Sequence, residues 1–321
     1  MRMNLEAGPT RREFLRSAGL AATALALPYG VRGDDDVSIP GLVQKARDTA
    51  ASDQVTAQKL RGGVHVLMGA GGNIAVLPGH DGKLLVDAGF AGARPQISKA
   101  LAGISADPIQ QLINSHWHFD HTDGNAWLHS EGAKILAHVN TKKHLSTDTL
   151  VQGWAFTFAA SPAGAIPSEV FTGEKNLEWN GMKLELKAYE PAHTDSDISI
   201  LFTNADVWHV ADTFWNGYYP FIDYSTGGSI DGMIRATEAN LKRATDKLII
   251  VPGHGAIANK QDLAVYHELL SSSREKIAAM KKQGKTLNEV VAAKPTAAYD
   301  AKWGGGFMSP KMFTGLVYEG V

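Results

Sequence analysis

His116-Trp117-His118-Phe119-Asp120-His121 sets three histidines and a carboxylate within six positions, directly after the strand-like run Gln111-Leu112-Ile113-Asn114. In an extended segment His116 and His118 point the same way, as a period of two requires, and Asp120 and His121 on the following turn can reach a neighbouring ion. One segment can therefore serve two metals. The chain has no cysteine, so any metal must rest on imidazole and carboxylate ligands.

Three further candidates stand where strands should end: His193 in Pro191-Ala192-His193-Thr194, Asp212 in Val210-Ala211-Asp212-Thr213, and His254 in Pro252-Gly253-His254-Gly255. Singly, each reads equally as a hydrogen-bonded histidine or a capping aspartate. Beside the six-residue cluster they read as the remainder of a ligand set.

Around these points run short β-rich segments. Val64–Met68, Ile74–Leu77 and Leu84–Asp87 are separated by glycine-rich turns, as in consecutive hairpins. A helical stretch near Pro95–Leu101 precedes buried strands at Gln111–Asn114 and Lys134–Ala137. A second series follows at Leu184–Ala188, Ile198–Phe202, Val207–Val210 and Leu248–Val251. Two sheets with interspersed helices are implied, an α/β (α+β) chain. Between the series, Leu150–Asn180 is rich in Gly, Pro and aromatics, including Trp154, and reads as an insertion over a site or a packed excursion. The spacing of Leu263, Tyr266, Leu269, Leu270 and Ile277 predicts a long amphipathic helix over Lys260–Lys282.

The chain has 321 residues, 44% hydrophobic and 20% charged, with a formal charge of −2. That is enough to bury a large core, and nothing in it tracks a phosphate backbone, so no nucleic-acid partner is expected. Paired arginines in Thr10-Arg11-Arg12-Glu13-Phe14-Leu15-Arg16 precede an apolar run, Ala18–Leu27, that contains Ala24-Leu25-Ala26. This resembles a bacterial twin-arginine signal peptide over residues 1–26. The run is about half of the ~20 residues that cross a bilayer, so no transmembrane anchor is expected. The expected organisation is a signal at 1–26, a linker and N-terminal helical segment at 27–60, and a catalytic domain with C-terminal helix and tail at 61–321. The implied partner is the twin-arginine export machinery, and the implied location is periplasmic or secreted.

The ordered set of H-x-H-x-D-H, then His, then Asp, then Gly-His-Gly resembles the metallo-β-lactamase-fold hydrolase superfamily over roughly residues 63–267. The resemblance implies a four-layer αβ/βα sandwich with a dinuclear zinc site at one edge. It implies His116, His118 and His193 on the first zinc, Asp120, His121 and His254 on the second, and Asp212 bridging them. It also implies that Asp120 takes part in catalysis on a small-molecule acyl substrate. Class B1 and B2 β-lactamases carry a cysteine ligand that this chain lacks. A bridging aspartate is similar to glyoxalase-II thioesterases and lactonases, so the expected reaction opens an ester, thioester, lactone or amide, with a β-lactam among the possible amides. Iron or manganese could replace zinc. A mononuclear iron persulfide dioxygenase and a non-catalytic metal-binding accessory protein are the alternatives. Trp117, Phe119, Trp215, Tyr218 and Tyr219 are the candidates for the substrate pocket.

Overall fold

Alternation along the strands determines how this chain layers. The computed structural model describes residues 40–321, and the signal expected at 1–26 lies outside the described residues. Within adjacent strands, successive side chains divide between two apolar clusters. Val66, Ala75, Leu84, Ile113 and Leu136 join one, while their neighbours Leu67, Ile74, Leu85, Leu112 and Ile135 join the other. A sheet whose two faces are both buried is packed on both sides.

The first sheet has the order β1-β2-β3-β4-β5-β6-β9. Its members are β1 (Thr56–Lys59), β2 (His65–Met68), β3 (Ile74–Leu77), β4 (Lys83–Val86), β5 (Ile109–Asn114), β6 (Lys134–His138) and, at the far edge, β9 (Glu169–Phe171). β1 to β4 pair antiparallel, and β4, β5, β6 and β9 run parallel. A hairpin of β7 (Thr149–Val151) and β8 (Phe156–Phe158) stands apart. The second sheet comprises β10 (Glu174–Trp179), β11 (Met182–Ala188), β12 (Ile198–Phe202), β13 (Val207–Asn216) and β14 (Ile249–Gly255), antiparallel except for the last pair.

Between the sheets, Val66, Leu84 and Ile113 meet Leu184, Ile200 and Phe202 in a single cluster. Helices cover the outer faces. They are α1 (Leu42–Ala50), α2 (Arg94–Ile104), the short α3 (Phe119–Thr122), α4 (Asn125–Ser130) and α5 (Val139–Leu145), then α6 (Ile230–Arg243), α7 (Lys260–Lys282), α8 (Leu287–Ala292), α9 (Ala297–Trp303) and α10 (Pro310–Glu319). Ile97 and Leu101 of α2 pack in the cluster of Leu85 and Leu112, and Met233 of α6 and Leu263, Tyr266 and Leu270 of α7 pack with Trp208 and Ile250. The result is the expected four-layer αβ/βα sandwich. No helix among the described residues is long and apolar enough to cross a membrane.

Two boundaries differ from the sequence reading. The helix-compatible stretch before residue 61 is helical only over Leu42–Ala50, and Thr56–Lys59 forms the edge strand β1, so the first sheet begins inside the expected linker segment. All four β1 residues are exposed, which removes the alternation that marks a strand. The Leu150–Asn180 stretch, read as an insertion, contains the β7–β8 hairpin but also supplies β9 to one sheet and β10 to the other. It carries the chain between the sheets.

Candidate metal centre

The segment after β5, the connection from β11 to β12, and the strands β13 and β14 deliver the seven candidate ligands to one edge of the sandwich. β5 stops at Asn114, the chain bends through residues 115–117, and His118 stands at the N-cap of α3, so that Asp120 and His121 follow on a helical turn. His193 lies in the connection from β11 to β12. Asp212 sits within β13 where its register with β14 slips, next to Ala211, whose φ of 50° is left-handed. His254 is near the end of β14. Such strain in a residue with a Cβ costs of order 1–3 kcal/mol and persists where the surroundings hold it.

The ligand atoms group in threes: His116, His118 and His193; His116, His121 and Asp212; and Asp120, His121 and His254, each set with its atoms within 4.8 Å of one another. Asp212 joins the groups, with Oδ1 3.1 Å from His121 Nε2 and Oδ2 3.4 and 3.2 Å from the Nε2 atoms of His193 and His254. Asp120 Oδ2 lies 3.2 Å from His254 Nε2.

The other ring nitrogens of His116, His118, His121 and His193 are held from behind. His121 Nδ1 is 2.8 Å from Asp87 Oδ2, and His118 Nε2 is 3.1 Å from Asp223 Oδ2. His193 Nδ1 donates to the Phe221 carbonyl at 2.9 Å, and His116 Nδ1 faces the Ser115 hydroxyl at 3.1 Å. Asp87 also accepts from the Ser115 amide and hydroxyl, both at 2.7 Å. These partners fix which nitrogen each ring turns inward, as the outer partners of metal-bound histidines do.

The inward atoms fit a cation better than they fit one another. His118 Nδ1 and His193 Nε2 face each other at 2.8 Å, and His121 Nε2 and His254 Nε2 at 3.4 Å, so lone pairs meet unless a proton or a metal lies between. Among the described residues His116 Nε2 is buried without any hydrogen-bond partner, and Asp212 Oδ1, buried 3.1 Å from His121 Nε2, meets it outside hydrogen-bond geometry, a costly state for a polar atom. Burial, followed by the charge of His121, pushes the His116 imidazole well below its ordinary value. Burial would raise Asp212, but His254, His121 and His116 outweigh it and hold the carboxyl well below the usual range. Burial would likewise lower His254, and Asp212 with Asp120 raises it to about 9. A cation entering here displaces protons from His121 and His254, the charge that balances the carboxylates without it.

The family model for the metallo-β-lactamase superfamily matches residues 68–254, a span that includes all seven candidate ligands. The chain belongs to the metallo-β-lactamase superfamily. Solved structures of this superfamily's fold agree. The stereoselective inverting sec-alkylsulfatase Pisa1 from Pseudomonas sp. superposes with a TM-score of 0.63 at 15% identity, over 85% of this chain and 51% of that enzyme. A Cronobacter sakazakii metallo-β-lactamase with a HARLDQ motif gives 0.58 at 19% identity, over 74% of this chain and 98% of the other. The DIM-1 metallo-β-lactamase gives 0.55 at 16% identity, over 68% and 98%. The chain thus spans about half the length of the alkylsulfatase and nearly all of each lactamase.

A cavity of about 410 Å³ opens onto His118, Asp120, His193, Asp212 and His254. Two of the five pocket candidates line it, Phe119 and Trp215. Three do not. Trp117, 2% exposed, packs its ring against that of His118, centroids 5.0 Å apart, and its Nε1–H donates to Thr226 Oγ1 at 3.2 Å. Tyr219 is fully buried because its amide bonds the Trp303 carbonyl, its hydroxyl donates to Asp300 at 2.8 Å and its ring stacks on Phe313. Tyr218 is 41% exposed and packs against Gly306 outside the cavity. The sequence reading missed Phe90 and Phe307 in the wall, Leu42 and Ala46 from α1, and the buttresses Asp87 and Asp223. Asp87 had a signal: like His254, it stands at the end of a strand.

Proposed function

We propose that the protein is a metal-dependent hydrolase that opens a carboxylic ester, thioester, lactone or amide bond in a small molecule, using two zinc ions. The observation that carries this reading is the convergence of five histidines and two aspartates, two of their buried atoms without a hydrogen bond, on the floor of an apolar cavity. His116, His118 and His193 would hold one cation, Asp120, His121 and His254 the second, and Asp212 both. Bound there, the cations supply a water whose pKa falls from 15.7 to about 7 and polarise the acyl carbonyl.

The chain's own groups do the rest. Asp120, held at about pKa 2 because His121 and His254 outweigh its burial, keeps an ionised carboxylate at the cavity floor. From there it can orient a water and pass a proton to the departing oxygen, nitrogen or sulfur. Phe119 and Trp215 exclude bulk water beside it. Asp87 and Asp223 keep the imidazoles aimed inward. The third ligand group, as complete as the first, favours two cations over the single iron of a persulfide dioxygenase.

The resemblance of residues 1–26 to a twin-arginine signal supports export of the folded enzyme to the periplasm or beyond. Replacing Arg11→Lys and Arg12→Lys together should retain the protein in the cytoplasm on cell fractionation.

Metal content by mass spectrometry, on protein purified without added metal, tests the main reading together with turnover of nitrocefin, an acyl homoserine lactone and a glutathione thioester. Two zincs with turnover on one class support it. A single iron favours the dioxygenase, and metal with no hydrolysis of any acyl substrate favours an accessory role.

A further inference from the structure

We propose that the group this cavity accepts beside the scissile bond is neutral and apolar, an aryl or branched alkyl group, and that Phe307 grips it. The bond cleaved rests on the hydrolase reading above; the character of the pocket does not.

Charge is the first argument. Apart from the metal-ligand candidates, the charged lining residues among those described are Lys45 and Asp53, of opposite sign and eight positions apart. They leave no net charge and no second cation for a substrate with two carboxylates, such as glutathione. Thr49 apart, the rest of the wall is apolar or glycine and includes Phe90, Phe119, Trp154, Trp215 and Phe221.

Phe307 is the second argument. Five large hydrophobic residues are exposed among those described, and Phe307, at 43%, is the one that lines this cavity. It follows Gly304-Gly305-Gly306 in the loop between α9 and α10, and the loop is pinned by the buried Trp303 and Met308. Its ring centroid lies 5.6 Å from that of Trp215, which lies 4.1 Å from that of His254, so an aromatic path runs from the mouth to a candidate ligand. Gly306 lets the loop sit against Tyr218, since a Cβ there would come within 2.7 Å of Tyr218 Cδ1. Gly305 has open space around it. The arrangement holds an exposed ring over the cavity mouth, where an apolar group entering beneath it would cover the ring as well as itself.

Covering a phenyl group favours its substrate by roughly 10–100-fold over one that carries a methyl. The full chain with its native metal is assayed on p-nitrophenyl phenylacetate, acetate and hemisuccinate. The expected kcat/KM for phenylacetate exceeds the other two by about tenfold or more. Phe307→Ala should lower the phenylacetate value by about tenfold, mostly through KM, with a much smaller change for acetate and unchanged bound metal. Phe307→Leu should restore most of the loss. Equal values across the three esters, or a preference for hemisuccinate, overturn the inference. If none of the three esters turns over, these esters are not substrates and calorimetry decides the inference by itself. Benzyl alcohol should then bind the wild-type protein with a negative heat-capacity change, and Phe307→Ala more weakly. Binding of glutathione in its place, or of neither, overturns it.

Discussion

Glycine occupies two positions where the metal cluster leaves no room for a larger residue. A Cβ on Gly72 would overlap the His121 ring, and one on Gly253 would overlap Asp212 Oδ1. Neither φ is left-handed, so the requirement is close approach rather than backbone freedom. Gly72→Ala and Gly253→Ala should each weaken metal binding by roughly 10–100-fold, the range seen when ligand positioning is disturbed. Metal per chain after dialysis against a weak chelator measures this, and full retention in both variants would contradict it. Asp87→Ala should have an effect of the same size, because His121 loses the carboxylate that orients it. At this scale the ligands were legible because imidazole and carboxylate spacing is itself chemistry. The buttresses and the pocket wall were not. Asp223 reaches His118 across 105 positions of sequence, and Trp117 and Tyr219 carry aromatic rings that fit a wall or a core equally well until the fold places them.

Among the elements, α1 is the one whose importance its composition hides. Arg47 donates two hydrogen bonds of 2.8 Å to Asp123, directly after α3, and its guanidinium lies 5.5 to 6.0 Å from the ring centroids of Phe119, Phe156 and Phe158. One side chain thus ties α1 to the metal loop and to the β7–β8 hairpin. The pair is only partly buried, so Arg47→Ala should destabilise the fold by about 1–2 kcal/mol, readable as a lower urea midpoint at constant m. It should also raise KM more than it lowers kcat, because Leu42 and Ala46 of the same helix line the cavity. An unchanged midpoint would show that the clamp adds nothing. Elements with a strong period were legible: β3, β12 and α7 have the expected bounds. β1 was not, since Thr-Ala-Gln-Lys has neither alternation nor apolar content and becomes a strand only by pairing with β2.

For the molecule as a whole, two series of short β-rich runs foretold two sheets with interspersed helices, and the cysteine-free composition foretold the chemistry available at their edge. The balance of charge at that edge sets how stability changes with pH. Without a cation, His254, raised to about 9, and His121, also raised well above its ordinary value, hold protons that unfolded imidazoles release near 6.5. This contribution is complete below about pH 6.5 and is lost as pH rises through about 9, so the Tm of chelated protein should fall across that window. Asp120, lowered to about 2, adds a contribution present above about 3.9 and lost as pH falls toward 2. In metal-loaded protein the cation replaces the protons, and the alkaline fall should flatten. Melting curves from pH 6 to about 9.5 with and without chelator test this, and parallel curves would refute it.

The site also sets an order of events in the life of the chain. His116, His118, Asp120 and His121 follow β5 of one sheet, while His193, Asp212 and His254 belong to the other. No complete set of ligands exists until both halves have docked, so capture of the ion comes last in folding and acts afterwards as a rivet across the seam. Contacts that form after the transition state slow unfolding without speeding folding. The metal should therefore lengthen the lifetime of the folded protein far more than it changes how quickly that state is reached.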